Sequence, residues 1–194
     1  MIGRLPVSLP VNGKDMGIRT DFRDILVIMQ ALGDPELSEL EKGIVMLTVL
    51  FLDFKDMPPE DYEDAMRQAS WFIDCGRPDD GKAPGKKVMD WEQDEALLFA
   101  AVNKVAGKEV RMVEYMHWWT FAGYFMEIED GTFSAILGIR QKLADHKPLD
   151  KWEQEFRRKN QSLCDLRKKY TAEEQAEMDY LNDLLDGKVI EGEG

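Results

Sequence analysis

The feature that most limits what this chain can fold into is the aromatic segment from Val113 to Ile128. Tyr115, Met116, Trp118, Trp119, Phe121, Tyr124 and Phe125 crowd into it. A helix apolar on every side belongs at the centre of a core or against a partner. A chain of 194 residues that is 44% hydrophobic, with five Trp and nine Phe, carries enough apolar mass to enclose such a segment. The length fits one domain, or one domain with an appended helical segment.

The opening segment alternates. Val7, Leu9 and Val11 are followed by Asn12-Gly13, then Met16 and Ile18, the pattern of a tight β-hairpin. Pro6 and Pro10 make it an edge ribbon. From Thr20 the period turns helical. Thr20 or Asp21 caps a helix with Phe22, Ile25, Leu26, Met29 and Leu32 on one side, ending at Gly33. Ser38 and Glu41 form a capping box before a second helix that is apolar nearly all round, with Leu40, Ile44, Leu47 and Phe51. Pro58-Pro59-Glu60-Asp61 opens a third helix with Tyr62, Ala65, Met66, Ala69, Phe72 and Ile73 inward, stopped by Cys75-Gly76. Asp90 and Gln93 cap a fourth, bearing Trp91, Leu98, Ala101, Val102 and Val105. The aromatic helix follows, then a turn at Asp130-Gly131-Thr132 into a helix with Phe133, Ile136, Leu137 and Ile139.

The pattern predicts a mainly α protein, a bundle of about seven to eight helices with a small N-terminal β-hairpin. Residues 1–145 make the helical domain, with an exposed loop at 77–87 where prolines and glycines sit among charges. Residues 146–194 make a charged amphipathic helical hairpin. Its first arm runs from Asp150 to about Lys169 with Trp152, Phe156, Leu163, Leu166 and Tyr170 on one side. Its second starts at a Thr171–Glu174 capping box, carries Met178, Leu181 and Leu185, and stops at Gly187 before a frayed tail from Ile190.

The net charge of −13 excludes nucleic acid and anionic lipid as partners, because both associations need a basic face. The two cysteines, Cys75 and Cys164, fit neither a disulfide framework nor a zinc pattern, which implies a reducing compartment. No signal peptide is expected, and the longest apolar run, Ile44 to Leu52, is too short to span a bilayer. These features predict a cytoplasmic protein. Glu114 and His117 have the E-x-x-H spacing of di-iron bundles, but no second copy exists. His117 and His146 are the only histidines. There is no G-x-S-x-G, phosphate-binding glycine loop or H-E-x-x-H. The expectation is no catalytic site, no metal and no cofactor.

Binding to other proteins remains, through Tyr115, Trp118 and Trp119 of the aromatic segment or the stripe of Trp152, Phe156, Leu163 and Leu166. Residues 150–170 hold seven Lys or Arg against four acids, whereas 171–194 hold eight acids against Lys188 alone. Two readings stay open. The helices complement each other as a hairpin, or one of them is a docking arm for another chain.

Five local elements carry a family resemblance: Ile18-Arg19-Thr20-Asp21-Phe22-Arg23, Trp71-Phe72-Ile73-Asp74-Cys75-Gly76, Asp90-Trp91-Glu92-Gln93-Asp94, Tyr115-Met116-His117-Trp118-Trp119, and Phe133-Ser134 through Gly138-Ile139-Arg140. In this order they resemble the bacteriophage Gp-fifteen family of long-tailed phages and prophages of Gram-positive hosts, over about Leu5 to Arg140. The resemblance implies a gene in the tail module, between the major tail protein and the tape-measure protein. By that location it implies a tail assembly chaperone in the host cytoplasm that binds the tape-measure protein, helps recruit tail-tube subunits and self-associates. The alternatives are a structural component of the virion tail, or a host-interaction factor or enzyme with an unrecognised site.

Overall fold

Asn12 and Gly13 both adopt positive φ, 44° and 79°, as a two-residue hairpin turn requires. They join β1 (Ser8–Val11) to β2 (Lys14–Gly17) with Val11 opposite Lys14 and Ser8 opposite Gly17. The computed structural model describes residues 3–78, 81 and 85–185. Residues 79, 80 and 82–84 of the expected loop, the stop at Gly187 and the tail from Ile190 lie outside the described residues. After the hairpin come α1 (Phe22–Leu32), α2 (Glu39–Leu50), α3 (Tyr62–Ile73), α4 (Glu95–Ala106), α5 (Trp118–Met126), α6 (Thr132–Ala144), α7 (Lys151–Lys159), α8 (Gln161–Cys164) and α9 (Ala172–Leu185). The protein is mainly helical with an N-terminal β-hairpin, as expected, and has nine α-helices among the described residues.

The hairpin is locked to the bundle at both ends. Leu9 and Val11 are fully buried. At the tip, the Asn12 N–H donates to Asp64 Oδ2 at 2.7 Å and Asn12 Nδ2 donates to Asp61 Oδ1 at 2.6 Å. The main core draws Phe22, Ile25 and Ile28 from α1, Leu47 and Leu50 from α2, Phe72 from α3, Leu98 and Val102 from α4, and Phe121 from α5. Phe22 stacks on Phe121, centroids 4.6 Å apart and rings within 5° of parallel. A smaller cluster of Ile136, Ile139 and Cys164, flanked by Leu97, Leu143, Leu149 and Phe156, fixes α7 and α8 to α6.

Four boundaries or faces differ from expectation. The aromatic helix begins at Trp118, not Val113, because the backbone before it finds partners across the chain: Phe22 N–H donates to the Met116 carbonyl at 3.0 Å and Trp118 N–H to the Thr20 carbonyl at 2.7 Å. The long helix from Asp150 breaks at Asn160, whose side-chain amide donates to the Phe156 carbonyl at 2.9 Å and competes with helical continuation. That break makes α7 and α8 out of one predicted element. Trp91 lies in the turn before α4, since Asp90 accepts the Glu92 and Gln93 N–H groups while the regular helix waits until Glu95. Finally, α2 is buried on one side alone, and Leu40 is 71% exposed.

A charged pair holds the C-terminal half in place. Arg140 is buried on α6, and its five N–H donors are all engaged. Two reach Asp94, from Nη1 at 2.6 Å and Nη2 at 2.9 Å. The others reach the carbonyls of Val88 at 3.0 Å, Leu163 at 2.7 Å and Cys164 at 3.1 Å. Arg140 therefore satisfies the carbonyl end of α8 while pairing with the start of α4. Asp90 adds a second tie, 2.9 Å from Lys87 Nζ and 3.4 Å from Lys169 Nζ.

Arg140→Met leaves Asp94 buried without its partner and three carbonyls unsatisfied, so it should cost about 3–5 kcal/mol in urea unfolding. Burial works against the Asp90 carboxylate, but the Gln93 N–H, Lys87 and Lys169 outweigh it and hold its pKa well below the ordinary value. Its stabilising contribution is therefore complete above the unfolded-state pKa of about 3.9 and is lost as pH falls below that toward the folded-state value. The stability gap between the wild type and Asp90→Asn should accordingly be largest near neutral pH and shrink in acid unfolding series.

Candidate protein-binding surfaces

The Tyr115–Trp119 element is a junction between distant parts of the chain. His117 is the N-cap of α5, and its Nδ1 accepts the Trp119 N–H at 3.0 Å. That role leaves the proton on Nε2, which donates to the Pro6 carbonyl at 2.9 Å. The two following indoles cap the end of α3. Trp118 Nε1–H donates to the Ile73 carbonyl and Trp119 Nε1–H to the Phe72 carbonyl, both at 2.8 Å. The chain leaves α3 through Cys75 at φ 57° and Gly76 at φ 76°. A Cβ on Gly76 would lie 3.0 Å from Trp119 Cη2, so this turn and this indole fit only with glycine between them.

The Ile18–Arg23 run closes the same junction. Arg19 donates to the Val49 carbonyl at 2.7 Å, at the end of α2. Asp21 caps α1 and accepts the Met116 N–H at 3.1 Å. Arg23 pairs with Asp21 at 3.0 Å and donates to the Val113 carbonyl at 2.6 Å.

Of the residues singled out for protein binding, Trp118 is buried and Trp119 half-buried, and their polar atoms are spent on α3. Tyr115 is exposed, although its hydroxyl bonds Thr20 Oγ1 at 2.8 Å. Trp152 is 58% exposed and stacks on half-buried Phe156 at 5.1 Å. Leu163 is exposed and Leu166 half-buried. The structure therefore does not gather the seven on one face.

Among the described residues, three of the surfaces that present apolar side chains to solvent stand out. A groove of about 280 Å³ lies between α1 and α4, lined by Phe22, Leu26, Val27, Trp91, Leu98 and Phe99. Arginines border it: Arg23 lies 4.7 Å over the Phe22 ring and Arg111 4.9 Å over Phe99. The second surface is the Trp152 face of α7. The third is α9, in which every residue from Ala172 to Leu184 is exposed. The groove escapes sequence reasoning because its walls come from helices some seventy residues apart. Arg140 had a readable signal: it stands seven residues after Phe133, in line with the apolar stripe of its own helix.

Among the described residues, no group of three His, Cys, Asp or Glu side chains could hold a metal ion. No helix of the described residues is long and apolar enough to cross a membrane. The thiol pKa is raised at both cysteines, first by burial and then by the neighbouring charges of Asp74 at Cys75 and Asp165 at Cys164. Neither is set up as a nucleophile.

The family model described as Bacteriophage Gp15 protein matches residues 1–166. The chain belongs to the Bacteriophage Gp15 protein family. No curated protein and no solved structure matches it. The matched span ends just beyond α8, whose carbonyls Arg140 holds, and leaves α9 outside. Within the family span, the elements at 18–23, 71–76 and 115–119 meet in the junction described above. Trp118→Phe keeps an aromatic ring but leaves the Ile73 carbonyl only the weak Cys75 thiol donor at 3.8 Å. It should lower unfolding free energy by about 1–3 kcal/mol, measured by denaturant titration followed through the remaining tryptophans.

Proposed function

We propose that this Gp15 family member is a phage tail assembly chaperone, acting in the cytoplasm of the bacterial host without catalysis. The observation that carries the reading is the groove between α1 and α4. Its floor is apolar, its walls are rigid helices and its volume suits side chains at helical spacing. The partner proposed for it is an amphipathic helical segment of the tape-measure protein, whose apolar stripe would otherwise be exposed during tail assembly. Such an occupant gains mostly from apolar burial. The net charge of −13 keeps the loaded complex soluble and away from nucleic acid and anionic lipid. The location that the family resemblance implies, beside the tape-measure gene, favours the same partner, and delivery to tail-tube subunits follows from it.

Val27 projects from α1 at the groove and is half exposed, so Val27→Asp charges the groove without emptying the core. Co-expression with the tape-measure protein should raise that protein's soluble yield and give a recoverable complex. The Val27→Asp variant, with an unchanged thermal midpoint, should return the yield to that of tape-measure protein expressed alone. A wild-type chain that neither solubilises nor binds the tape-measure protein overturns the reading. So does its presence in stoichiometric amounts in purified virions by mass spectrometry, which instead identifies a structural tail component.

A further inference from the structure

The C-terminal region carries a basic face and an acidic helix that the fold of a single copy keeps apart. On α9 the apolar positions Met178, Leu181 and Leu184 recur at helical spacing and are exposed, with Tyr180 beside them. Glu173, Glu174, Glu177, Asp179 and Asp183 surround them, and the helix has no Lys or Arg. On α7, Trp152, Lys151 and Arg158 are exposed, as are Leu163 on α8 and Arg167 and Lys168 just beyond it. Those four cations make no ion pair among the described residues, and neither do Glu173 and Glu177.

The linker explains why the two surfaces do not meet within one chain. Gln93 Nε2 donates to the Asp165 carbonyl at 2.9 Å, and Gln93 Oε1 accepts the Arg167 N–H at 2.9 Å. Lys169 pairs with Glu92 at 3.0 Å. The Ala172 N–H then donates to Glu36 in the α1–α2 loop. These ties draw the start of α9 toward α1 and α2, and its residues from Ala172 to Leu184 stay exposed.

We propose that α9 of one copy docks on the basic Trp152 face of α7 and α8 in a second copy. Opposite charge and exposed apolar side chains on both surfaces specify this occupant. Each copy carries both surfaces, and the proposal takes the contact to be reciprocal about a twofold axis, which closes it as a dimer rather than an open chain. Apolar contact of the Met178–Leu181–Leu184 stripe with Trp152 and Leu163 holds the pair, and the flanking charges set its register. The inference is independent of the tape-measure reading, which uses the groove between α1 and α4.

The test is the mass of the full chain in solution by size-exclusion chromatography with light scattering. The wild type should run as a dimer. Glu173→Lys with Glu177→Lys should halve the mass. This outcome is discriminating, because two substitutions of +2 each reduce the net charge from −13 to −9 and so weaken whole-molecule repulsion. Arg158→Glu with Lys168→Glu should also give a monomer, and mixing the two reversed variants should restore a dimer through the re-matched contact. All four positions are exposed, and unchanged circular dichroism checks that each variant folds. A monomeric wild type overturns the proposal, as do reversed variants that stay dimeric or fail to pair when mixed. If α9 instead serves a basic protein of another kind, the wild type is monomeric and the proposal falls.

Discussion

Trp118 N–H meets the Thr20 carbonyl at 2.7 Å, and Phe22 N–H meets the Met116 carbonyl at 3.0 Å. Two strands of chain nearly a hundred residues apart are thereby crossed antiparallel for a single step before each turns into a helix. The rest of the bundle is arranged by that crossing. It sets Phe22 against Phe121, places the His117 ring between Pro6 and the first turn of α5, and aims two indoles at the end of α3. The His117 ring and the two indoles each satisfy a backbone group that a helix terminus leaves open. In a buried junction an unmade bond costs more than a made one contributes. A fault at one of these positions therefore spreads to the others.

The second anchor is of a different kind. Removing Arg140 and Asp94 from water is expensive, and their attraction does not guarantee a net gain over apolar replacements. What the pair contributes is placement. A guanidinium with all five donors engaged accepts one arrangement of α4, α6 and α8, where apolar contact among Leu97, Ile136, Ile139 and Cys164 would tolerate several. Gln93 and Lys169 extend the same logic along the linker. The direction in which α9 leaves the body is thus decided by polar contacts rather than by a core.

This division bears on function. Trp118 and Trp119, which draw attention in the sequence, are consumed in holding the junction together, while exposed apolar side chains lie elsewhere, at the groove and on α7 and α9. The groove between α1 and α4 is a product of packing, and α9 is exposed because its linker is tied elsewhere.

Much of the local structure was legible in the residues. Asn12-Gly13 specifies a hairpin turn, Ser38 with Glu41 and Thr171 with Glu174 specify helix starts, and Gly76 specifies a stop, because each acts through neighbours within a few positions. The mainly helical class and the family followed from the same short-range patterns. Three matters were settled by tertiary structure alone. The helix expected from Val113 starts at Trp118 because Thr20 and Phe22 capture its backbone. The helix expected to reach Lys169 ends at Asn160, after which Arg140 takes the carbonyls of Leu163 and Cys164. Trp118 faces α3 rather than solvent. In each case the deciding hydrogen bond comes from a residue at least twenty positions away or from a side chain that opts out of the local pattern, and periodicity carries no information about either.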